Sequence, residues 1–464
     1  MDFRSLKFVA EACAGELRSG SPGLLVGQIC SDSRQAQAGD LFFAIAGNHF
    51  DGHDYLAEAA RKGAVAVVAE HGRIPADLPC AVIAVDNPRK ALGRLAERYR
   101  MDFTLPVIAV GGSNGKTTTK ELLASVLRQK LKTLWSEASF NNDIGVPLTL
   151  LKLEPAHEAA VVEIGTNHPG ELAPLVRMAK PGWGVITSIG REHLEFFGDV
   201  AGVATEEGWL AELLPADGRL VVNGDSEWTE QIAQRTQAMV IRVGLGTGND
   251  WRASRIRIDG NGTQFCVETA GKDYAGEYRI GLLGRHQVVN ALFAVAIGAE
   301  LKVSRAEIEK GLLECRPVKM RMQLWDWNGA GILDDAYNAN ADSMLAALET
   351  LREMPCAGRR AAVLGDMAEL GTQTRAAHEE AGRRAAQLGV DRLFAVGKMA
   401  AVTADAARTA GLAAADEFAD AGAAAEAVKA YLRAGDVLLL KASRVTKLER
   451  LAEALRTPEP GGKM

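Results

Sequence analysis

The sequence predicts an α/β protein built as three domains, and three observations predict it. The chain has 464 residues, about three times the usual length of one domain. Short apolar runs alternate with helical patterns along most of it, which suits parallel sheets covered by helices. The texture changes twice, near residues 103 and 317. Residues 1–103 read as a mixed α/β domain. Residues 104–317 read as a parallel sheet with a small antiparallel patch. Residues 318–464 read as a doubly wound, Rossmann-like domain.

In the first segment the clearest strands are Leu41–Ile45, Ala64–Val68 and Cys80–Val85. A helix at 89–100 leads towards Pro106. In the second, Val107–Val110, Ala159–Ile164 and Trp183–Ile189 are continuous apolar runs, as strands buried on both faces require. Arg255–Ile258, Thr263–Val267 and Tyr278–Ile280 alternate instead, like antiparallel strands with turns between them. In the third, Ile332–Asp335, Arg360–Gly365, Arg392–Gly397 and Asp436–Lys441 are strands separated by alanine-rich helices. The alanine-rich stretch at 400–430 is expected to be ordinary helix, because Ala is the best helix former. Pro458–Lys463 is expected to be a frayed tail. No internal repeat is present.

Apolar residues make up 47% and charged residues 24% of the chain, which is ordinary for a globular protein. Net charge is −6, the pI is about 5.9, and there is no basic tract. Neither nucleic acid nor membrane is therefore expected as a partner. Six scattered cysteines without a Cys-x-x-Cys pair argue against structural zinc and a disulfide framework. The start of the chain has no apolar signal core, and no apolar run approaches the ~20 residues that span a bilayer. The expectation is a soluble, cytoplasmic protein.

One stretch carries most of the chemistry. Val107–Val110 is followed by Gly111-Gly112-Ser113-Asn114-Gly115-Lys116-Thr117-Thr118, and then by helical apolar spacing to Leu127. Strand, glycine-rich turn, Gly-Lys-Thr and helix is the layout of a phosphate-binding loop, where backbone N–H groups and a helix N-terminus cradle an anion. Lys116 would reach the terminal phosphates, and the Thr117 hydroxyl would meet Mg²⁺. Val110 stands where the strict pattern has its first glycine, so the loop is a variant.

Ligands of open parallel sheets sit at the carboxyl ends of the strands. Glu163 ends one apolar run and His193 follows another. Either could reach a metal beside the phosphate loop, although histidine is an unusual Mg²⁺ ligand and an ordinary core or surface role competes for it. Asn141 and Asn142 lie in a polar loop that is either a substrate contact or a plain turn. Asp334-Asp335 ends a strand near Asn338 and Asn340, as a nucleotide contact, a helix cap, or both. Asp366 and Glu369 lie at another strand end. Lys441, Ser443 and Arg444 lie at the last one, where Lys and Arg would bind a carboxylate or merely pair on the surface.

Taken together these motifs resemble the Mur ligase family over nearly the full length. Gly112–Thr117 resembles its Gly-Thr-Asn-Gly-Lys-Thr signature, Glu163-Ile164-Gly165 its Glu-x-Gly, and His193-Leu194-Glu195 its His-Leu-Glu. Arg321 resembles its nucleotide-contacting arginine, and Gly284–Ala291, with Asn290, its Gly-x-His-Asn-x-x-Asn-Ala stretch. Within the family, the likeness is to the branch that adds a dipeptide. Ser33 and Arg34 lie in a segment similar to its uridine-nucleotide domain. Asp335–Asn340 and Gly365–Gly371, with His378, resemble motifs of that branch. Asp86-Asn87-Pro88-Arg89 spells the sequence by which a neighbouring branch reads diaminopimelate. Here it ends the first domain and is read as a turn capped before Lys90.

The resemblance implies a cytoplasmic monomer that uses ATP and Mg²⁺ to join D-Ala-D-Ala to UDP-N-acetylmuramoyl-tripeptide through an acyl phosphate. Lys116, Glu163 and His193 would be catalytic, with Thr117, Glu163 and His193 on the metals. Asn290, Arg321 and Asp335 would meet the nucleotide. Asn141, Asn142, Asn338, Asn340, Asp366, Glu369, Lys441, Ser443 and Arg444 would meet the substrates. The rival readings are a ligase adding diaminopimelate, lysine or glutamate, and a nucleotide switch that ligates nothing. The chain departs from the pattern at Ser188, Gln287, Ala341 and Ala442, and most of all at Glu207. That position holds a carbamylated lysine in the family, whose anion helps hold a second Mg²⁺. Either Glu207 replaces the carbamate without CO₂, its shorter side chain reaching the metal through a water, or it is part of a solvated helix face.

Overall fold

The computed structural model describes residues 1–47 and 50–456. The expected tail at Pro458–Lys463 lies outside the described residues. Three main sheets account for the three textures. The first orders its strands Glu16–Ser19, Ala81–Val85, Ala66–Glu70, Asp40–Phe43 and Gln28–Cys30, all parallel except the first pair. Its three inner strands are buried, and helices Leu6–Cys13 and Pro88–Arg100 share one apolar cluster with them. The second helix begins with proline in its first turn, and the Asn87 side chain accepts the Lys90 N–H. Asp86–Arg89 is therefore a helix start, as its turn chemistry predicts.

The central sheet has nine strands. Thr133–Trp135, Ala159–Glu163, Val107–Gly111, Trp183–Ile186, Arg219–Asn223, Met239–Gly244 and Trp251–Asp259 run parallel in that spatial order. Gly262–Thr269 and Gly276–Ile280 add the antiparallel patch. The phosphate-loop strand is thus central, between the strand ending in Glu163 and the strand leading to His193.

The third sheet orders Gln323–Trp327, Ala330–Asp335, Val437–Lys441, Arg360–Gly365, Arg392–Val396 and Ala415–Phe418, parallel after the first pair. The alanine-rich stretch forms helices Ala400–Thr409 and Ala421–Tyr431. The short strand between them is masked in the sequence by Asp416 and Glu417, poor strand formers. It holds the sheet edge, where Arg392 pairs with Asp416 at 2.8 Å.

The two junctions differ. One apolar cluster runs from Leu6 and Val9 through Leu92, Leu95 and Tyr99 into Val146, Leu150 and Leu175 of the central domain. The Tyr99 hydroxyl donates to the Leu153 carbonyl at 2.6 Å, and Arg100 Nε to the Ala179 carbonyl at 3.0 Å. Each buried leucine or valine of that cluster contributes roughly 1.5–3 kcal/mol, so the first two domains share a core. The third domain meets the second across a more polar seam, described below. Among the described residues, no helix is long and apolar enough to cross a membrane.

Candidate active site

Val110 is still strand and fully buried, so the variant loop starts one residue later. Gly112 takes the first turn with φ +105°, and a Cβ there would meet Thr187 Oγ1 at 2.5 Å. Gly115, at φ +91°, caps the helix Lys116–Leu127. Asn290 presses beneath it, since a Cβ on Gly115 would lie 2.5 Å from Asn290 Oδ1. Gln287, one of the departures, accepts Asn290 Nδ2 at 2.9 Å and fixes that amide. Ser188, another departure, accepts the Asn114 N–H at 2.9 Å and donates to its carbonyl at 3.1 Å. A short hydroxyl thus ties the loop to the neighbouring strand end.

Lys116 folds back onto the Gly112 and Ser113 carbonyls and pairs with buried Glu192 at 3.6 Å. Burial alone would lower its ammonium, but Glu192, Glu207 and Glu163 together hold it above its ordinary value. Thr117 Oγ1 donates to Glu163 Oε1 at 3.1 Å, and Asn141 Nδ2 donates to the same oxygen at 2.9 Å. Glu163 is 1% exposed, and its second oxygen accepts no hydrogen bond. A buried carboxylate with a free oxygen beside a hydroxyl is a donor set suited to a hard cation.

His193 sits at φ +49° with Nδ1 on the Glu369 carboxylate of the third domain. That bond, against the opposing cost of burial, holds Glu369 below the usual carboxylate range. Nε2 faces Glu192 at 3.9 Å. Tyr337 Oη reaches Ser139 Oγ at 3.4 Å, and Asn340 Nδ2 donates to Asn114 Oδ1 at 3.0 Å. Asn340 also caps the helix Ala341–Glu353 through Ser343, so the cap falls to Asn340 and not to the Asp334-Asp335 pair. A cleft of about 470 Å³ lies between the domains, lined by Ser113–Thr117, Asn141, Glu163, His193, Asn338 and Lys441 among others.

The remaining expected residues fall in different places. Asn142, Arg321, Asn340, Glu369, Ser443 and Arg444 line the cleft. The paired amides divide their roles, for Asn142 Oδ1 accepts the Ile144 and Gly145 N–H groups as a turn cap. Arg321 stacks over Tyr337 at 4.3 Å with its Nε unpaired. Lys441 is buried, paired with Asp335 at 2.6 Å and bonded to the Asn338 carbonyl at 2.8 Å. That internal pair holds two strand ends, and the mostly exposed Arg444 is the freer cation.

Asp366 does not face the cleft. Its carboxylate accepts the Lys398 and Met399 N–H groups at 2.9 Å each, under the tight turn at Gly397. Ser33 and Arg34 stand on the first domain, where Arg34 pairs with Asp32 at 2.7 Å. Thr118 follows Thr117 in the first turn of the loop helix. Glu207 is not on a solvated face. It is 1% exposed beneath the loop, and its Oε2 accepts the Gly112 N–H at 2.7 Å. Its other oxygen has no hydrogen bond. Its neighbour Glu206 instead accepts the Gly170 and Leu172 N–H groups.

Two residues escape the sequence reading. Glu192 is one position before His193, a charge beside a motif already singled out. Lys120 lies one helical turn after Lys116 and is 0% exposed. A lysine among apolar helix positions was its only signal.

A phosphate loop, a buried carboxylate at the next strand end and a third domain closing over both define a nucleotide-dependent enzyme of modular α/β build. Residues 110–298 match the Mur ligase middle domain, 320–444 the Mur ligase glutamate ligase domain, and 26–100 the Mur ligase family catalytic domain. The UDP-N-acetylmuramoyl-tripeptide–D-alanyl-D-alanine ligase of Escherichia coli K12 is 34% identical over 97% of this chain and 98% of its own. The crystal structure of MurF from Acinetobacter baumannii superposes with a TM-score of 0.89 at 30% identity, covering 98% of this chain and 100% of that one. MurF from Thermotoga maritima, solved in complex with ADP, gives 0.80 at 27% identity, over 92% and 96%. The chain belongs to the Mur ligase family.

Proposed function

We propose that this chain is an ATP-dependent amide ligase that joins D-alanyl-D-alanine to UDP-N-acetylmuramoyl-tripeptide in the cytoplasm. Relatives named for that ligation match 97% of the chain. The observation that carries the reading is the single cleft shared by the phosphate loop, Glu163 and the strand-end loops of the third domain. One domain alone would bind a nucleotide, whereas ligation needs two further substrates to meet it. Residues 1–103 would hold the uridine nucleotide, 104–317 ATP, and 318–464 the incoming dipeptide.

The tripeptide's terminal carboxylate attacks the γ-phosphorus, and the bond to ADP breaks. The dipeptide amine then attacks the acyl carbon, loses its proton, and phosphate leaves. The protein's contribution is positioning and charge neutralisation. Lys116 exchanges its loop carbonyls for phosphate oxygens. Arg321, stacked on Tyr337, faces the nucleotide, and Arg444 is free to meet the dipeptide carboxylate. His193 holds Glu369 and so registers the third domain against the second.

Mg²⁺ fits Thr117 Oγ1 and Glu163, whose second oxygen is free. When bound, the ion would screen phosphate charge. Among the described residues no three His, Cys, Asp or Glu groups form a ready cage. That accords with an ion that binds through one or two carboxylates and its substrate's phosphates.

The test is ADP release with UDP-N-acetylmuramoyl-tripeptide and each amine in turn. D-Ala-D-Ala should give turnover, and diaminopimelate, lysine and glutamate should not. Turnover with a single amino acid alone would replace this reading by its nearest rival.

A further inference from the structure

Lys120 lies on the phosphate-loop helix, has no exposed surface, and spends all three ammonium donors inside the protein. It donates to the Ser136 carbonyl at 2.9 Å and the Ala138 carbonyl at 2.7 Å, and pairs with Glu121 at 2.7 Å. Glu163 Oε2, the carboxylate oxygen without a hydrogen bond, lies 3.9 Å away. A buried ammonium is costly unless fully paired, and two of the three close contacts of this one go to a single loop.

That loop, residues 136–142, wraps Glu163. The Ser136 hydroxyl accepts the Glu163 N–H at 3.0 Å, and Asn141 Nδ2 donates to Glu163 Oε1 at 2.9 Å. Ala138 turns through φ +45°. Ser139 then stands 3.5 Å from Thr117 Oγ1 and 3.4 Å from Tyr337 Oη. Lys120 therefore connects three things: the helix that carries Lys116 and Thr117, the loop that presents Ser139 and Asn141, and the carboxylate between them.

We propose that Lys120 is a positioning residue for the ligation, a buried cation that locks loop 136–142 and Glu163 in register with the phosphate loop. In this role Lys120 would carry any displacement of the phosphate-loop helix to Ser139 and Asn141 through the Ser136 and Ala138 carbonyls. The inference rests on the ligase reading only for its kinetic arm.

Two variants and one unmodified-protein measurement test it. Lys120→Gln keeps two donors without the charge, and Lys120→Met keeps neither. Expected are losses of about tenfold and about a hundredfold in kcat/KM for UDP-N-acetylmuramoyl-tripeptide, with ADP affinity within threefold of the parent. Near-parental kcat/KM in both folded variants overturns the proposal. So does an equal loss of ADP affinity, which would mean general damage. Should Lys120→Met not fold, Lys120→Gln decides. In the parent chain, ADP should slow hydrogen exchange at 136–142 as well as at 112–119. Protection confined to 112–119 overturns the coupling whatever the variants do. This last arm needs no acceptor substrate, so a wrong substrate assignment and a wrong role for Lys120 give different results.

Discussion

Glu207 shows what one buried carboxylate does to a loop. Burial pushes it up to about 7 from 4.5, with Lys116 pulling the other way. A raised folded value means that the folded state holds the proton more tightly. The resulting stability is fully present below about 4.5 and is lost as pH rises through about 7, a swing on the order of 3 kcal/mol. The urea midpoint should therefore fall between pH 5 and 8 more steeply in the parent than in Glu207→Gln, whose amide oxygen still accepts the Gly112 N–H. Equal slopes would remove Glu207 as the source. The family resemblance adds a second expectation. With a carboxylate already in place of a carbamate, depleting CO₂ and bicarbonate should leave turnover unchanged, and a bicarbonate-dependent loss would contradict it. Sequence register was enough to place Glu207 near the site. It was not enough to show that the carboxylate grips the loop backbone from below, because that contact joins residues 95 apart.

At the scale of elements, the strand–loop–helix was legible because its constraints are local. The glycines, the Lys-Thr pair and the apolar strand all lie within a few residues of one another. The structure sharpens which glycine matters. Gly112→Ala would force a Cβ towards Thr187 Oγ1 and the Ser188 carbonyl at a backbone conformation that L residues avoid. Strain and overpacking together should cost about 2–4 kcal/mol, and ADP binding should be lost with it. Urea unfolding and an ADP titration read the two effects. Full ADP affinity in this variant would show that the loop tolerates a different path. The strand ends bearing Glu163, Asp335 and Lys441 were legible for a similar reason, since polar residues closing apolar runs stand out. The pairing of Lys441 with Asp335 was not, because the late strand Val437–Lys441 inserts between Ala330–Asp335 and Arg360–Gly365. Asp366 was misplaced for another reason. A strand-end carboxylate looks the same in sequence whether it faces a cleft or caps the next turn.

Across the whole molecule, the seam between the second and third domains is the weaker joint. The first junction buries continuous apolar core, including Leu92, Leu95 and Tyr99. The second has a smaller apolar contact at Leu194, Val203 and Leu283, and otherwise relies on polar bonds. Arg191 is their centre. Its N–H and Nε donate to Asp342 at 2.7 and 2.8 Å, and Nη1 meets Glu380 at 2.6 Å. Gly190 lies directly against Asp342, so a Cβ there would displace the carboxylate that Arg191 holds. These groups are partly exposed, so each pair contributes only about 0.2–1 kcal/mol and weakens with salt. Losing both side-chain pairs should therefore cost about 0.4–2 kcal/mol of docking. The Arg191→Ala chain should scatter X-rays as a more open particle than the parent at 0.15 M salt (about physiological). Its kcat/KM should fall about tenfold, the same docking cost expressed as a rate. The parent should open in the same direction as salt rises, and ADP with the tripeptide should reverse it, since substrates spanning three domains stabilise only the closed form. Superimposable scattering from parent and variant at every salt concentration would mean that the seam holds without the Arg191 pairs, on the apolar contact at Leu194 and polar bonds such as His193 with Glu369.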